Sequence, residues 1–168
     1  MIFNIIKNSR FKLIKNKKKN ISKNKFEEYK SEFKNFYDEA NSKLQQFNLN
    51  DWKVTFDYAK RRAGACIYSK KELSFSIYFL RNSSSFDLND TLLHEISHAL
   101  VGPNQGHNNI WKKKALSIGC TGKVYHSLNF SNPGWIKYCS NFCWEQKCYR
   151  RKKNLICKIC RSEVLYKK

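Results

Sequence analysis

Several features that would assign the chain to a common class are missing from its sequence. No run of about 18 apolar residues occurs, so no membrane-spanning helix is predicted. The N-terminal stretch MIFNIIKNSRFKLIKNKKKN has no long apolar core, unlike a secretory signal. The seven cysteines are an odd number with five of them within residues 139–160, which argues against a secreted disulfide framework. We expect an intracellular protein, nuclear or cytoplasmic, without membrane association; organellar targeting by the basic N-terminus is the alternative.

Acidic residues are scarce at both ends of the chain. Residues 1–26 carry nine Lys or Arg and no acid, and residues 96–168 carry fourteen against two, whereas residues 27–95 carry ten against eleven. Cations concentrated in this way predict a polyanion partner, because contacts with phosphates release counterions and give affinity for any sequence. The alternative is a basic surface that is merely solvated.

The patterning between the basic ends predicts an α+β fold. The stretch FEEYKSEFKNFYDEANSKLQQF has apolar residues at helical spacing, which predicts one amphipathic helix over residues 26–47. DWKVTFDYA, GACIYS and ELSFSIYFL are strand candidates for a small three-stranded antiparallel sheet, with the hairpin tip at Lys70 and Lys71. A helix beginning near Asp87 or Asp90 is expected to end at Val101, and another is expected over residues 108–118.

The helix ending at Val101 contains a metal-binding pattern, His-Glu-Ile-Ser-His. His94 and His98 are four residues apart, so they share one helix face and can bind a single Zn²⁺ ion. Glu95 lies about 100° around the helix, where it can take a proton from an attacking water without binding the metal. With four histidines in the whole chain, this spacing is a rare accident for a purely structural helix. The pattern predicts a catalytic zinc site.

The third ligand must come from elsewhere in the chain. Val101 and Asn104 stand where the HExxHxxGxxH pattern needs Gly and His, so that class is excluded. Glu145 and Glu163, both in the cysteine-rich tail, are the only acids after Glu95, which argues against a carboxylate ligand. His107 and His126 remain. His107 is the better candidate because it opens the next helix and can reach back.

The cysteine-rich tail predicts a second zinc site. Cys139 with Cys143 and Cys157 with Cys160 form two closely spaced pairs, and such pairs suit a structural tetrahedral Zn²⁺. Cys148 is an additional thiol that could replace Cys139 or Cys143. The alternative is a set of buried or free thiols.

A basic and aromatic stretch lies between the two cysteine pairs. Trp144 precedes the run Arg150, Arg151, Lys152 and Lys153. Cations beside an aromatic ring are typical of nucleic-acid contact, in which the cations bind phosphates and the ring stacks on a base. A solvated hairpin tip is the alternative. Arg61 and Arg62 are either structural or part of a substrate cleft.

These motifs together resemble the SprT-like metallopeptidases, a group that includes the Spartan proteases and bacterial SprT. The resemblance rests on HEISHAL, GHNNIWKKKALSIGC and DWKVTFDYAKRRAGACIYSKKELSFS, and it covers about residues 50–165. It implies Zn²⁺ held by His94, His98 and His107 with Glu95 as the base, in a domain over residues 26–134 between a basic arm (1–25) and a zinc ribbon (135–168). Asn108 departs from the family, which usually has Gly after the third histidine.

The leading hypothesis is a monomeric zinc metallopeptidase that cleaves proteins held on DNA. The resemblance to Spartan proteases implies DNA–protein crosslinks as substrates, with single-stranded or junction-containing DNA as the partner. The alternative is a zinc-ribbon nucleic-acid-binding protein that acts in transcription elongation or chromatin with little peptidase activity. Metal-assisted hydrolysis of a non-peptide substrate is a third hypothesis.

Overall fold

The computed structural model describes residues 22–124 and 129–168, so most of the predicted basic arm and His126 lie outside the described residues. These residues form an α+β fold, as predicted. The helices are α1 (Lys23–Glu32), α2 (Lys34–Gln46), α3 (Ile77–Asn82), α4 (Ser85–Val101) and α5 (Asn109–Ser117). The strands are β1 (Lys53–Asp57), β2 (Gly64–Ile67), β3 (Glu72–Ser76), β4 (Trp135–Cys139), β5 (Glu145–Cys148) and β6 (Val164–Lys167). None of the helices in the described ranges is both long and apolar enough to cross a bilayer.

The amphipathic segment over residues 26–47 is two helices, whereas the sequence predicted one. Phe33 has φ −108° and ψ 34°, outside the helical region, and separates α1 from α2. Backbone hydrogen bonds continue across this residue, from Phe33 N to Tyr29 O and from Tyr37 N to Phe33 O. The ring of Phe33 lies 5.8 Å from that of Phe56 in β1. We attribute the kink to this packing, which brings both helices onto one side of the sheet.

The first sheet has three strands in the order β1–β3–β2, but it is mixed and not wholly antiparallel. β2 and β3 are antiparallel around a tip at residues 68–71, close to the predicted hairpin, whereas β1 runs parallel to β3. The alternation in β1 correctly indicated a half-buried strand, but alternation depends on the faces of a strand and is independent of its direction. In the order β1–β3–β2, β2 pairs with β3 alone, so β2 is an edge strand of the described sheet.

The third predicted strand is shorter than its apolar pattern suggested. β3 ends at Ser76, and Ile77–Asn82 form the short helix α3. The Ser76 hydroxyl accepts a hydrogen bond from the N–H of Phe79 (3.4 Å) and donates one to the carbonyl of Ala59 (2.5 Å). Ser76 thus caps α3, and a serine cap favours a helix start over continuation of the strand.

The main core lies between the sheet and α4. It includes Phe56 of β1, Leu73 and Phe75 of β3, and Leu92 and Ile96 of α4, all buried. α1 and α2 cover this core with aromatic and aliphatic side chains. α5 packs on another side of α4. α4 is thus enclosed by neighbours, which fixes the direction of its two histidines.

The C-terminal residues 135–168 form a second small sheet with strand order β5–β4–β6, antiparallel throughout. We call this part the cysteine ribbon. Its buried centre consists of Cys139, Cys157 and Val164, with Trp144 and Leu155 packed against them. So few buried apolar residues cannot stabilise a fold alone. A buried centre of this size is typical of small units whose fold depends on a bound metal.

Candidate active site and metal centres

α4 places the first two histidines on one face. Ser84 caps the helix by accepting a hydrogen bond from the N–H of Asp87 (3.2 Å), so the helix begins slightly before the predicted start. It ends at Val101, as predicted, because Gly102 adopts φ 87° and ψ 175°, a conformation that is essentially confined to glycine. The turn that follows carries His107 back toward α4.

Three histidine nitrogens meet in the structure. Nε2 of His94 lies 3.0 Å from Nε2 of His107 and 3.2 Å from Nε2 of His98, and the latter two are 3.0 Å apart. Nitrogens bound at about 2.0–2.1 Å to a tetrahedral ion would be about 3.3 Å apart. The observed triangle is close to this geometry, so these residues fit a single metal ion. His107 is therefore placed with His94 and His98, as predicted.

The protonation of these histidines also suits a metal. Burial, reinforced by the neighbouring His94 and His107, lowers the pKa of His98 to about 4, and burial lowers the pKa of His107. Both rings are therefore neutral at neutral pH, and neutral imidazole is the form that binds metal. Three converging nitrogen lone pairs repel one another unless a cation lies between them.

The start of α5, directly after His107, is held by a capping residue. Asn108 caps the helix, since its side-chain oxygen accepts hydrogen bonds from the N–H groups of Ile110 (3.0 Å) and Trp111 (3.1 Å). The φ of Asn108 is −73°, so no glycine is required there. The asparagine that stands in place of the family's usual glycine therefore serves as the cap of α5.

Trp111 is the shared support of the three histidines, and sequence reasoning missed it. Its ring is fully buried, and its centroid lies 4.7 Å from that of His94, 5.2 Å from that of His98 and 4.6 Å from that of His107. A tryptophan one turn after a histidine at a helix start was the available signal. No zinc motif includes that position, however.

Glu95 lies outside the histidine triangle and faces β2. Its side chain is buried, and this burial raises the pKa of its carboxyl group to about 7; the Arg62 guanidinium and the backbone N–H of Cys66 act in the opposite direction. An acid with a pKa near neutrality can both accept and release a proton at physiological pH. Glu95 therefore has the acidity expected of a catalytic base.

The histidines and Glu95 line a cleft of about 780 Å³. One wall is β2 with Arg61 and Arg62 before it, so both arginines line the cleft; the facing wall is formed by α4 and the residues after α5. Arg62 is also held by Asp57, whose carboxylate lies 2.7 Å from the guanidinium. Burial and Glu95 raise the pKa of the Cys66 thiol to about 12, which argues against a thiolate nucleophile.

Four cysteines converge in the cysteine ribbon. The sulfur atoms of Cys139, Cys143, Cys157 and Cys160 all lie within 4.8 Å of one another, and those of Cys139 and Cys160 are 3.3 Å apart. Sulfurs bound at about 2.3 Å to a tetrahedral zinc ion would be about 3.8 Å apart. This group is therefore consistent with zinc. Cys148 lies in β5 opposite Trp135, outside the cluster, so it replaces neither Cys139 nor Cys143.

The thiols of the cluster do not ionise alike. Hydrogen bonds from Ser162 lower the pKa of Cys160 to about 6, and the backbone N–H of Cys160 lowers the pKa of Cys157. Hydrogen bonds to Cys160 and Cys139 raise the pKa of Cys143 to about 12. Two sulfurs thus favour the thiolate and one resists it, so full ionisation of the cluster requires a cation at its centre.

The basic stretch is exposed, and its aromatic neighbours differ from expectation. Arg150, Arg151, Lys152 and Lys153 are all exposed. Trp144 is partly buried, and its indole N–H donates to the sulfur of Cys157 (3.3 Å). Trp135 instead has the Arg151 guanidinium 4.4 Å from its ring centroid. Trp144 therefore supports the cysteine cluster. The aromatic ring beside the basic stretch is that of Trp135, which the sequence analysis did not identify.

Comparison with known proteins gives one match and one negative result. No curated protein shows significant similarity to the chain. The profile of the SprT-like family matches residues 27–131, which include the HExxH helix, His107 and the first sheet. The match covers more than half of the 168 residues and coincides with the part of the fold that builds the histidine site. The chain belongs to the SprT-like family.

Proposed function

We propose that the protein is a zinc-dependent metallopeptidase. The observation that carries this proposal is the triangle of His94, His98 and His107 with Glu95 beside it in one open cleft. A purely structural zinc site has no use for a buried carboxyl group next to its ligands. Membership of the SprT-like family supports the same activity.

Peptide hydrolysis at this site would use a zinc ion and the carboxyl group of Glu95. A zinc ion held by three histidines supplies Lewis acidity, which polarises a carbonyl group and makes water more acidic. Glu95 takes the proton from the attacking water and then gives it to the leaving amine, so one carboxyl group serves as base and acid. Burial of Glu95 favours both steps because its pKa of about 7 allows either form near neutral pH.

The position of β2 supports a peptide as the substrate. β2 lines the cleft and, among the described strands, pairs with β3 alone. An extended peptide can add to such an edge through backbone hydrogen bonds, which places successive residues along the strand without selecting a sequence. A peptide held in this way passes beside Glu95, whose carboxyl group lies against β2.

We further propose that the substrates are proteins held on DNA, and that DNA–protein crosslink repair is the process. This proposal is supported by the exposed cations of residues 150–153, by the Trp135–Arg151 pair and by the excess of positive charge after residue 95. A cation next to an aromatic ring suits single-stranded DNA, in which unpaired bases can stack. Binding to DNA would bring the cleft close to proteins on the same strand.

Cleavage of a DNA-bound protein by the wild type and by Glu95→Gln tests the function. The amide keeps the size of the side chain but cannot accept the proton, so we expect a loss of about 10²–10⁴-fold in kcat. The assay is run with and without single-stranded DNA, and a zinc chelator should abolish the wild-type activity. Equal cleavage by both proteins would refute the peptidase proposal. DNA binding without cleavage by either protein would favour the role in transcription or chromatin.

A further inference from the structure

Gly64 of β2 lies directly against the side chain of Glu95. A Cβ atom built on Gly64 would lie 2.8 Å from Cγ, 2.8 Å from Oε1 and 3.1 Å from Cδ of Glu95. Real Cβ atoms essentially never approach a neighbour within 3.0 Å. The backbone of Gly64 does not adopt a positive φ, so its conformation does not require glycine. What requires glycine at this position is the space that the carboxyl side chain occupies.

We propose that Gly64 is a positioning residue, whose missing side chain lets the carboxyl group of Glu95 lie against β2 in the cleft that the three histidines also line. This inference rests on the proposed peptidase function of Glu95. It adds a requirement that the HExxH motif does not contain: the catalytic base has its place because a glycine on a different element leaves that place open.

The hydrogen bonding of β2 explains why the carboxyl group stays there. The N–H of Ser76 donates to the carbonyl of Ala63 (2.8 Å), so these two form a hydrogen-bonded pair at the start of the β2–β3 ladder. Hydrogen-bonded and non-hydrogen-bonded pairs alternate in an antiparallel ladder. The backbone polar groups of Gly64 and Cys66 therefore point away from β3. The N–H of Cys66 faces outward on this edge, where it acts to lower the pKa of the Glu95 carboxyl group.

The guanidinium group of Arg62 holds the N-terminal end of β2 near Glu95. Arg62, which precedes β2, attracts the Glu95 carboxylate and is anchored by Asp57 of β1 (2.7 Å). The same carboxylate oxygen of Asp57 accepts a hydrogen bond from the hydroxyl of Ser74 in β3 (2.5 Å). β1 and β3 thus both anchor the segment that precedes β2, and the strand cannot shift easily to make room for a methyl group.

Replacement of Gly64 by alanine should therefore displace the Glu95 side chain and leave the strand in place. All three contacted atoms belong to a side chain that can rotate, so the displacement falls on Glu95 and not on the backbone of α4. The cost to catalysis is large, because a displacement of about 1 Å in a reacting group can reduce the rate about 10²-fold. We expect kcat to fall by about that factor, with KM and zinc content close to those of the wild type.

The test compares Gly64→Ala with Gly134→Ala in the full-length, zinc-loaded protein. A Cβ on Gly134 would meet nothing within 4 Å, and its φ is not positive, so this variant should retain the wild-type kcat. The same assay includes Glu95→Gln alone and combined with Gly64→Ala. Since Gly64 acts through Glu95, the double variant should be no slower than Glu95→Gln. A wild-type kcat for Gly64→Ala, or an additive loss in the double variant, would overturn the inference.

A melting-temperature cycle gives a readout that does not depend on catalysis. Glu95→Ala removes the three atoms that the new methyl group would contact, so Gly64→Ala should lower Tm in the wild type but not in the Glu95→Ala background. If Gly64→Ala alone fails to fold, the double variant should fold, and its failure would overturn the inference. An active Glu95→Gln would instead refute the peptidase proposal, so the two failures are distinguishable.

Discussion

Trp111 packs against the three histidines of the site without supplying a ligand. Its fully buried ring contacts all three imidazoles, and it belongs to the same helix that carries the cap next to His107. Supporting residues of this kind hold ligands in the orientation that binds metal before the metal arrives. The ring thus reduces the number of orientations that His107, the most exposed of the three, can adopt.

Replacing Trp111 with leucine should weaken zinc binding at the histidine site. Loss of residues that orient metal ligands typically costs about 10–100-fold in affinity, and we expect a loss in this range. The measurement is the free zinc concentration that restores half of the peptidase activity to metal-stripped protein. Trp135→Leu is the matched control, since Trp135 lies in the cysteine ribbon. If both variants needed the same zinc concentration, the supporting role of Trp111 would be wrong.

At the scale of elements, the features set by local spacing were the ones that sequence could predict. The end of α4 at Val101, the start of α5 near residue 108 and the pairing of His94 with His98 all follow from residues within a few positions of one another. The third ligand could be inferred because few alternatives existed. Four histidines and two later acids left little choice.

Two of the features that were predicted wrongly depend on contacts between distant residues. The kink at Phe33 follows from packing on Phe56, and the parallel direction of β1 follows from where the β2–β3 hairpin inserts. The close approach of Gly64 to Glu95 is of the same kind. These residues are far apart in the chain, and no period in the sequence reports which distant segment will meet them.

The cysteine ribbon should unfold without its metal. Its buried centre is small, and structural zinc contributes about 10–16 kcal/mol in comparable zinc-finger peptides, much more than so few apolar contacts can supply. Cys157→Ser should therefore reduce the zinc content from about two ions per chain to about one and make residues 135–168 sensitive to proteases. Zinc content by elemental analysis and limited proteolysis are the measurements.

Cys148→Ser is the control for that experiment, because Cys148 lies in the same ribbon but outside the group of four sulfurs. It should retain both zinc ions and the wild-type proteolysis pattern. An equal loss of zinc in both variants would contradict the assignment of the four ligands. Loss of both zinc ions in Cys157→Ser would mean that the histidine site depends on the ribbon.

For the whole molecule, the distribution of charge matters more than its sum. The net charge is +20, yet residues 27–95, which carry α1–α3 and the first sheet, are close to neutral. The excess of cations over acids lies after Glu95 in the chain and at its N-terminus. If net charge alone attracted DNA, any four lysines would contribute equally. If the ribbon forms the contact surface, the cations at 150–153 would contribute more than others.

Replacing Arg150, Arg151, Lys152 and Lys153 together with alanine should reduce the salt dependence of single-stranded DNA binding. Each phosphate contact contributes about 0.7 to the slope of log Kobs against log salt, so loss of four contacts would lower the slope by up to about 2.8. Trp135→Ala should weaken binding by about 1–3 kcal/mol if it stacks on one base, with no change in slope. Fluorescence anisotropy at several salt concentrations measures both.

The matched control removes the same charge from the neutral part of the chain, by replacing Lys30, Lys34, Lys43 and Lys53 with alanine. These lysines are spread over α1, α2 and β1, and at least three of them already face an acidic side chain, as Lys34 faces Asp38. Their loss should leave the slope nearly unchanged. Equal slopes for the two quadruple variants would show that DNA binding depends only on the overall charge. That result would contradict the proposal that the cysteine ribbon is the contact surface.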